Sequence, residues 1–303
     1  MKHFFETMFF APKWYHYAVM VLLFPLSFLY GSFMLSRRLV STKKHFAIPI
    51  ISVGNLIVGG SGKTPFVTAI GARYEGVYII SRGYGRESQG LVEVSHEGQI
   101  LCDVKQSGDE PMLMAKSLPL ASVIVSEDRT LAIELAMKKG AKLIIMDDGF
   151  NRVEIDKFEI LLEPECMPNI LPFPAGALRE FYGTRKFADV IAKENQDFKR
   201  IVQCSDVSES ILLVTAIANP SRLDAYLPKG VVGKVYLDDH AYFDEAALKN
   251  KMQECKASTL LVTQKDEVKM KDFKLPLSVM KLKLEIDDAI FTSIDHYIKE
   301  KKC

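Results

Sequence analysis

A chain of 303 residues with 48% hydrophobic content is long enough to bury one large α/β domain or two modest ones. Its formal net charge of +1 gives no electrostatic case for nucleic acid as a partner. Five cysteines, Cys102, Cys166, Cys204, Cys255 and Cys303, occur without a C-x-x-C pair, which argues against a zinc knuckle or a disulfide framework and for a reducing, cytosolic setting.

The first predicted element breaks the soluble pattern. From Trp14 to Ser36 there is no Asp, Glu, Lys or Arg; Lys13 brackets the run on one side and Arg37, Arg38, Lys43 and Lys44 on the other. That length suffices for a bilayer helix. Trp14, Tyr15, Tyr17 and Tyr30 lie near its ends like interfacial aromatics, and the basic cluster predicts a cytoplasmic side for everything that follows. A cleaved signal peptide is a poor fit, because the apolar run is too long and a nucleotide motif follows it. The readings left open are a spanning helix, an interfacial helix, for which His16 and Pro25 speak, and a buried core helix. Residues 1–36 are expected to form a membrane-associated segment of their own.

Next comes a short apolar run, Ile48 to Val53, then Ser-Val-Gly-Asn-Leu-Ile-Val-Gly-Gly-Ser-Gly-Lys-Thr-Pro over 52–65, then a helix-like stretch from Phe66 to Tyr74. A strand, a Gly-rich loop and Gly-Lys-Thr at a helix start form a phosphate cradle. Ile57, Val58, Gly59, Gly60, Ser61, Gly62, Lys63 and Thr64 are the expected nucleotide-binding loop. Its glycines turn the backbone N–H groups toward one anion, Lys63 reaches the outer phosphates, and the Thr64 hydroxyl holds Mg2+. A nucleoside triphosphate is therefore the expected ligand. The loop departs from the usual G-x-x-x-x-G-K-[ST] pattern, since Ile57 stands where the first Gly would be. It also differs from the Lys-Gly-Gly-x-Gly-Lys-Thr ATPases, since Val58 stands where they carry Lys. The chain thus falls outside the commonest P-loop subclasses.

Farther on, strand and helix signals alternate. Val77 to Ser81 reads as a strand, Leu91 to Val94 and Ile100 to Val104 as a hairpin, and Pro111 to Ser117 as a helix. Ser122 to Val125 reads as a strand and Thr130 to Lys139 as a helix ending at Gly140. Leu143 to Gly149 is an apolar run ending in Asp147-Asp148-Gly149, the form of a buried parallel strand whose tip presents carboxylates to a metal. An Asp-Gly turn without metal is the plainer reading. After a Pro-rich loop, Pro164 to Pro174, the pattern restarts near residue 205. Strands are expected at Ile211 to Ala216, Val231 to Leu237 and Thr259 to Thr263, and helices at Asp244 to Cys255 and from Asp287. The expected architecture is α/β: a P-loop NTPase-like parallel sheet flanked by helices over 37–205, a smaller C-terminal α/β domain over 206–303, and the N-terminal hydrophobic helix.

Several short motifs recur in a telling order: Gly54-Asn55, Gly59-Gly60-Ser61-Gly62-Lys63-Thr64-Pro65, Ser81-Arg82-Gly83-Tyr84-Gly85, Gly108-Asp109-Glu110-Pro111, Asp128-Arg129, Asp147-Asp148-Gly149, Leu178-Arg179-Glu180, Asp239-His240 and Lys265-Asp266. In this order they resemble the tetraacyldisaccharide 4'-kinase family of lipid A biosynthesis in Gram-negative bacteria, which also begins with a hydrophobic helix. The resemblance runs from the N-terminus to about Lys269. This chain has Asn151-Arg152 where the family commonly has Gln-His, and Ala177 where a Pro is usual.

The resemblance implies transfer of the ATP γ-phosphoryl group to the 4'-hydroxyl of a tetraacyl glucosamine disaccharide 1-phosphate, at the cytoplasmic face of the inner membrane. ATP and Mg2+ are the implied cofactors, with Thr64 and Asp147 or Asp148 holding the metal. Lys63 neutralises phosphate, Arg129 is a candidate cation for the transferring group or the substrate phosphate, and Asp109 is the implied general base, supported by His240. No obligate protein partner is inferred. From local signals alone, Asp109 also suits a helix cap. His240 suits a surface residue, Arg129 a partner of Glu127 or Asp128, and Lys265-Asp266 a structural turn. Arg82 and Arg86 are either solvated loop charges or contacts for an anionic headgroup. The competing functional classes are a membrane-associated P-loop ATPase that switches a partner protein and a nucleotide-binding module without chemistry.

Overall fold

A computed structural model describes residues 2–58, 62–205 and 208–302. In chain order the elements are α1 (Lys2–Phe10), α2 (Trp14–Val40), β1 (Ile50–Asn55), α3 (Lys63–Gly71), β2 (Val77–Ser81), β3 (Val92–His96), β4 (Gln99–Ile100), α4 (Val104–Ser107), α5 (Asp109–Ser117), β5 (Ser122–Val125) and α6 (Arg129–Lys138). Then follow β6 (Leu143–Asp147), β7 (Phe158–Glu163), β8 (Val190–Lys193), β9 (Phe198–Cys204), β10 (Ile211–Thr215), β11 (Val231–Tyr236), α7 (Glu245–Glu254), β12 (Thr259–Thr263), α8 (Gln264–Glu267), β13 (Leu277–Ile286) and α9 (Asp288–Lys302).

These elements form two units, and each is discontinuous in sequence. Residues 1–67, 142–199 and 286–303 make the first; 68–141 and 200–285 make the second. Contiguous boundaries at 36 and 205 are the expectation from sequence. In the structure the segment from 68 to 141 groups instead with the C-terminal strands.

In the first unit, β6, β1, β7 and β8 run parallel in that order. β1 and β6 are buried along their whole length, as expected of strands covered on both faces. Helix α2 is 27 residues long, four residues longer at its C-terminal end than the predicted Trp14–Ser36 run. At about 1.5 Å per residue it measures about 40 Å, enough to cross a bilayer.

One stripe of α2 is docked on protein. His16, Met20, Ser27, Gly31 and Met34 are buried. The Ser27 hydroxyl accepts the Ala175 N–H at 2.8 Å, and the Phe181 ring lies so close to Gly31 that a Cβ there would meet it at 2.7 Å. Arg38 donates bidentately to Glu180, both bonds 2.9 Å, and to the Phe150 carbonyl, and its guanidinium stacks 4.3 Å from the Phe150 ring centre. Arg37 donates to the Asn151 carbonyl at 2.6 Å. Two of the four basic residues that sequence reading gave to a membrane-flanking cluster therefore hold the helix end on its own unit. The opposite face is apolar and exposed: Trp14 is 84% accessible, Leu22 77% and Val40 80%, with Leu29 and Phe33 between them. A helix that turns this face outward is not a core helix.

In the second unit, β2 and β5 are parallel, and the predicted hairpin forms antiparallel strands β3 and β4 at their edge. Its second arm is short, because Asp103 caps α4 and takes Val104 into a helix. A second sheet of order β11-β10-β12-β13-β9 carries α7, whose Leu248 and Met252 pack on Leu212, Val214, Leu260 and Val262.

Candidate active site

The first cluster lies at the C-terminal ends of β1 and β6, where ligands gather in open α/β sheets. Gly59, Gly60 and Ser61 lie outside the described residues, so the cradle is read from its flanks. On the near flank, Ile57 is buried with Leu56, Phe150, Leu161 and Leu178. That explains why no Gly stands there: the side chain belongs to the core, and only the backbone of this position can serve a nucleotide. Val58 donates its N–H to the Ala177 carbonyl at 2.9 Å. On the far flank, Gly62 has φ +81°, a conformation glycine adopts without strain, and α3 starts at Lys63.

Lys63 Nζ donates to Asn55 Oδ1 at 3.1 Å and stands 3.5 Å from the Asp148 carboxylate. Asn55 in turn donates to the Ile57 carbonyl at 2.9 Å. Asp147 ends β6 opposite Val53, and the Asp148 N–H donates to the Val53 carbonyl at 2.9 Å. Asp148 takes φ +55°, uncommon for a residue with a side chain and worth attention at a strand tip. Arg179 donates to both Asp148 oxygens at 2.9 Å. Burial pushes the Asp148 carboxyl up, but the charges and hydrogen bonds of Lys63 and Arg179 outweigh it and hold the group below the usual carboxylate range. In the sequence Asn55 and Arg179 stand out only through the motif order, which assigns them no role.

Gly54 explains itself by contact. A Cβ there would lie 2.4 Å from the Phe150 Cβ, within the turn that carries Asp147 and Asp148. Gly54→Ala should therefore displace that turn and lower stability by about 1–3 kcal/mol, as overpacking does. Chemical denaturation of the two proteins side by side checks this.

Mg2+ prefers hard oxygen donors and keeps several waters and phosphate oxygens in its shell. Thr64 and the two aspartates supply such donors. Among the described residues no group of three or more His, Cys, Asp or Glu side chains forms a metal cluster. Asp148 is taken up by two cations, so Thr64 and Asp147 are the better fit.

The second cluster belongs wholly to the other unit. Asp109 is the first residue of α5, with Gly108 at the cap position. The cap reading fails: one Asp109 oxygen meets the adjacent Glu110 N–H, and the carboxylate turns to His240, whose Nδ1 lies 2.9 and 3.0 Å from its two oxygens. A carboxylate only accepts, so Nδ1 carries a proton. His240 Nε2 lies 3.5 Å from Asp239. The His240 side chain is 16% accessible, and its backbone, at φ +64°, is pinned by its N–H to the Ala216 carbonyl. Lys265 and Lys269 stand 3.8 and 3.5 Å from Asp109. Lys265 also pairs with Glu110 and Asp239, so Lys265-Asp266 is more than a turn.

Burial raises the Asp109 pKa, and the His240 hydrogen bond with the Lys265, His240 and Lys269 charges more than reverses that, leaving it below the ordinary value. A depressed carboxyl contributes stability that is fully present above its unfolded pKa and lost as pH falls through the folded one. The wild type should therefore lose stability more steeply than Asp109→Asn as pH drops below about 4. Thermal melts across an acid pH series measure the difference.

Arg129 is buried and donates to the Ser126 carbonyl at the start of α6. Glu127, one of the two acids expected beside it, is engaged by Arg86, which also bonds Ser88 and the Gly90 carbonyl. Arg86 is therefore a loop clamp and not a solvated charge.

A Gly-Lys-Thr helix start beside a strand ending in two aspartates, on a parallel α/β sheet, defines a P-loop nucleotide-dependent enzyme. The family described as tetraacyldisaccharide-1-P 4'-kinase matches residues 19–299. A tetraacyldisaccharide 4'-kinase of Helicobacter pylori strain HPAG1 is 47% identical over 100% of this chain and 97% of its own, and that of Aliarcobacter butzleri is 41% identical over 98% and 97%. A solved structure of LpxK from Aquifex aeolicus, described as an "apo" form in complex with ATP, superposes with a TM-score of 0.78 at 27% identity, covering 92% of this chain and 99% of that one. This chain belongs to the tetraacyldisaccharide 4'-kinase family.

Proposed function

We propose that the chain transfers the γ-phosphoryl group of ATP to the 4'-hydroxyl of a tetraacyl glucosamine disaccharide 1-phosphate. The bond from the γ-phosphorus to the ADP oxygen breaks, a bond to the sugar oxygen forms, and the hydroxyl proton passes to Asp109. The observation that carries this reading is the buried Asp109–His240 pair flanked by Lys265 and Lys269. A sugar hydroxyl is a poor nucleophile at neutral pH and benefits from an ionised acceptor for its proton. A nucleotide switch needs no such pair.

Phosphoryl transfer asks mostly for positioning and charge neutralisation. Lys63, steered by Asn55 and Asp148, neutralises the outer phosphates; Arg179 keeps Asp148 ionised and in place. Thr64 and Asp147 would hold Mg2+, which when bound offsets phosphate charge. His240 orients Asp109 and balances its charge. Arg129, buried with a bond to the Ser126 carbonyl, is the candidate cation for the transferring group or the substrate phosphate. Mass spectrometry of lipid recovered after incubation with ATP and acylated disaccharide acceptor tests the reading; a product heavier by one phosphate is expected, and unchanged lipid argues for the ATPase switch.

The enzyme works at the cytoplasmic face of the inner membrane, with the exposed face of α2 against lipid. This is supported by the apolar outer stripe and by the docking of the opposite stripe, which together suit a helix embedded on one side. Leu22→Glu with Leu29→Glu should shift the protein from membranes to the soluble fraction while leaving its melting temperature and ATP binding unchanged. Deleting residues 1–36 should do more harm, because Met20, Ser27, Gly31 and Met34 go with it. Flotation with lipid vesicles, beside a thermal melt, separates the two effects.

A further inference from the structure

Lys269 has a buried ammonium with an unusual set of neighbours. Its side chain is 1% exposed. Nζ donates to the Ala241 carbonyl at 2.9 Å and lies 3.5 Å from Asp109 Oδ2, 3.8 Å from Asp266 Oδ1 and 5.2 Å from the centre of the Phe243 ring. Burying an ammonium is costly unless it is paired and hydrogen-bonded, so a residue needed only to fill this space would be apolar.

The counter-charge beneath it is firmly built. Asp266 is fully buried; its Oδ2 accepts from the Thr215 and Thr263 hydroxyls, both at 2.7 Å, and its Oδ1 accepts from the Ala216 N–H at 3.1 Å. Ala216 also receives the His240 N–H. One buried carboxylate thus supports both Lys269 and the backbone that holds His240. From this base Lys269 reaches the carboxylate of Asp109 and the carbonyl of the residue after His240.

We propose that Lys269 is a positioning residue for phosphoryl transfer: its ammonium keeps the Asp109 carboxylate ionised and aimed, and its bond to the Ala241 carbonyl keeps His240 in register with that carboxylate. This rests on Asp109 being the proton acceptor. The other groups facing Asp109 are His240 and Lys265, with Glu110 and Asp239 drawing on Lys265 and Tyr242 nearby. Lys265 is divided among three carboxylates and partly exposed, whereas Lys269 is enclosed with two. The lowered pKa of Asp109 agrees with this arrangement.

The test is the pH dependence of kcat/KM for the lipid acceptor at saturating ATP, from about pH 3 to pH 8 so that the wild-type limb falls inside the series, in the full-length wild type, Lys269→Met, Lys269→Gln, Lys269→Arg and Asp109→Asn. An opposite charge within about 4–6 Å moves a carboxylate by about 1–3 units. The acid limb should therefore rise by about one pH unit in Lys269→Met and Lys269→Gln, and stay near the wild-type position in Lys269→Arg. A residue that merely supported the fold would lower the plateau without moving the limb. An unmoved limb in a folded Met or Gln variant overturns the proposal. Loss of fold in both does so as well, since it reduces Lys269 to a core support. Full activity of Asp109→Asn would instead remove the proton acceptor itself, a distinct result that takes the proposal with it.

Discussion

Lys63→Ala should lower kcat by about 10³-fold while the protein keeps its fold, because phosphoryl transfer depends on cations placed where charge develops. The Nζ group is held between Asn55 and Asp148 at the start of α3, so protein groups fix its direction. Asp148 keeps its bidentate bond from Arg179 in the variant, which limits the structural cost. Lys63→Arg should not rescue activity, since a planar fork cannot take the place of a compact point-like ammonium. Pre-steady-state turnover with calorimetric ATP titration distinguishes loss of catalysis from loss of binding. Near-normal turnover of Lys63→Ala would remove the P-loop role.

Asp109→Asn should lower kcat by about 10²–10⁴-fold with little change in ATP affinity, the range that a positioned general base supplies. The amide retains the size and can still meet His240, so the loss is one of basicity. His240→Ala should cost a similar or smaller factor. The two side chains are joined by paired contacts of 2.9 and 3.0 Å and so act as one unit. The double variant should then be barely worse than the worse single. Multiplicative losses would mean that His240 serves elsewhere, for instance on a phosphate. Full activity of Asp109→Asn would leave the base to be found among other groups.

Local chemistry was legible where a residue's own neighbours in sequence express it. The apolar run before Asp147-Asp148, the Gly-Lys-Thr helix start and the ends of α6 and α7 all appear in the structure within a residue or two of their predicted places. Strand β7 was not read, because Glu159 and Glu163 interrupt Phe158–Glu163; the structure buries Glu159 in an ion pair with Lys157 at 2.7 Å. β13 alternates lysine and glutamate with apolar residues, a pattern easily taken for a solvated segment.

What stayed hidden was long-range. Arg179 meets Asp148 across 31 residues and Lys269 meets Asp109 across 160, and no local pattern announces either pair. The basic cluster after α2 was read as a membrane flank because charge at a helix end is its usual sign. Only the fold shows Arg38 buried on Glu180 and Phe150. The discontinuous units follow from the same limit: a strand's neighbours in a sheet are not its neighbours in the chain.

The central claim is that ATP turnover by this chain is phosphoryl transfer to a lipid-borne sugar hydroxyl. ADP release, measured with and without acylated glucosamine disaccharide 1-phosphate in mixed micelles, tests it most directly. The account predicts release that is nearly silent without acceptor and rises steeply with it, in proportion to phosphorylated lipid. Steady ADP release that ignores the acceptor would contradict it.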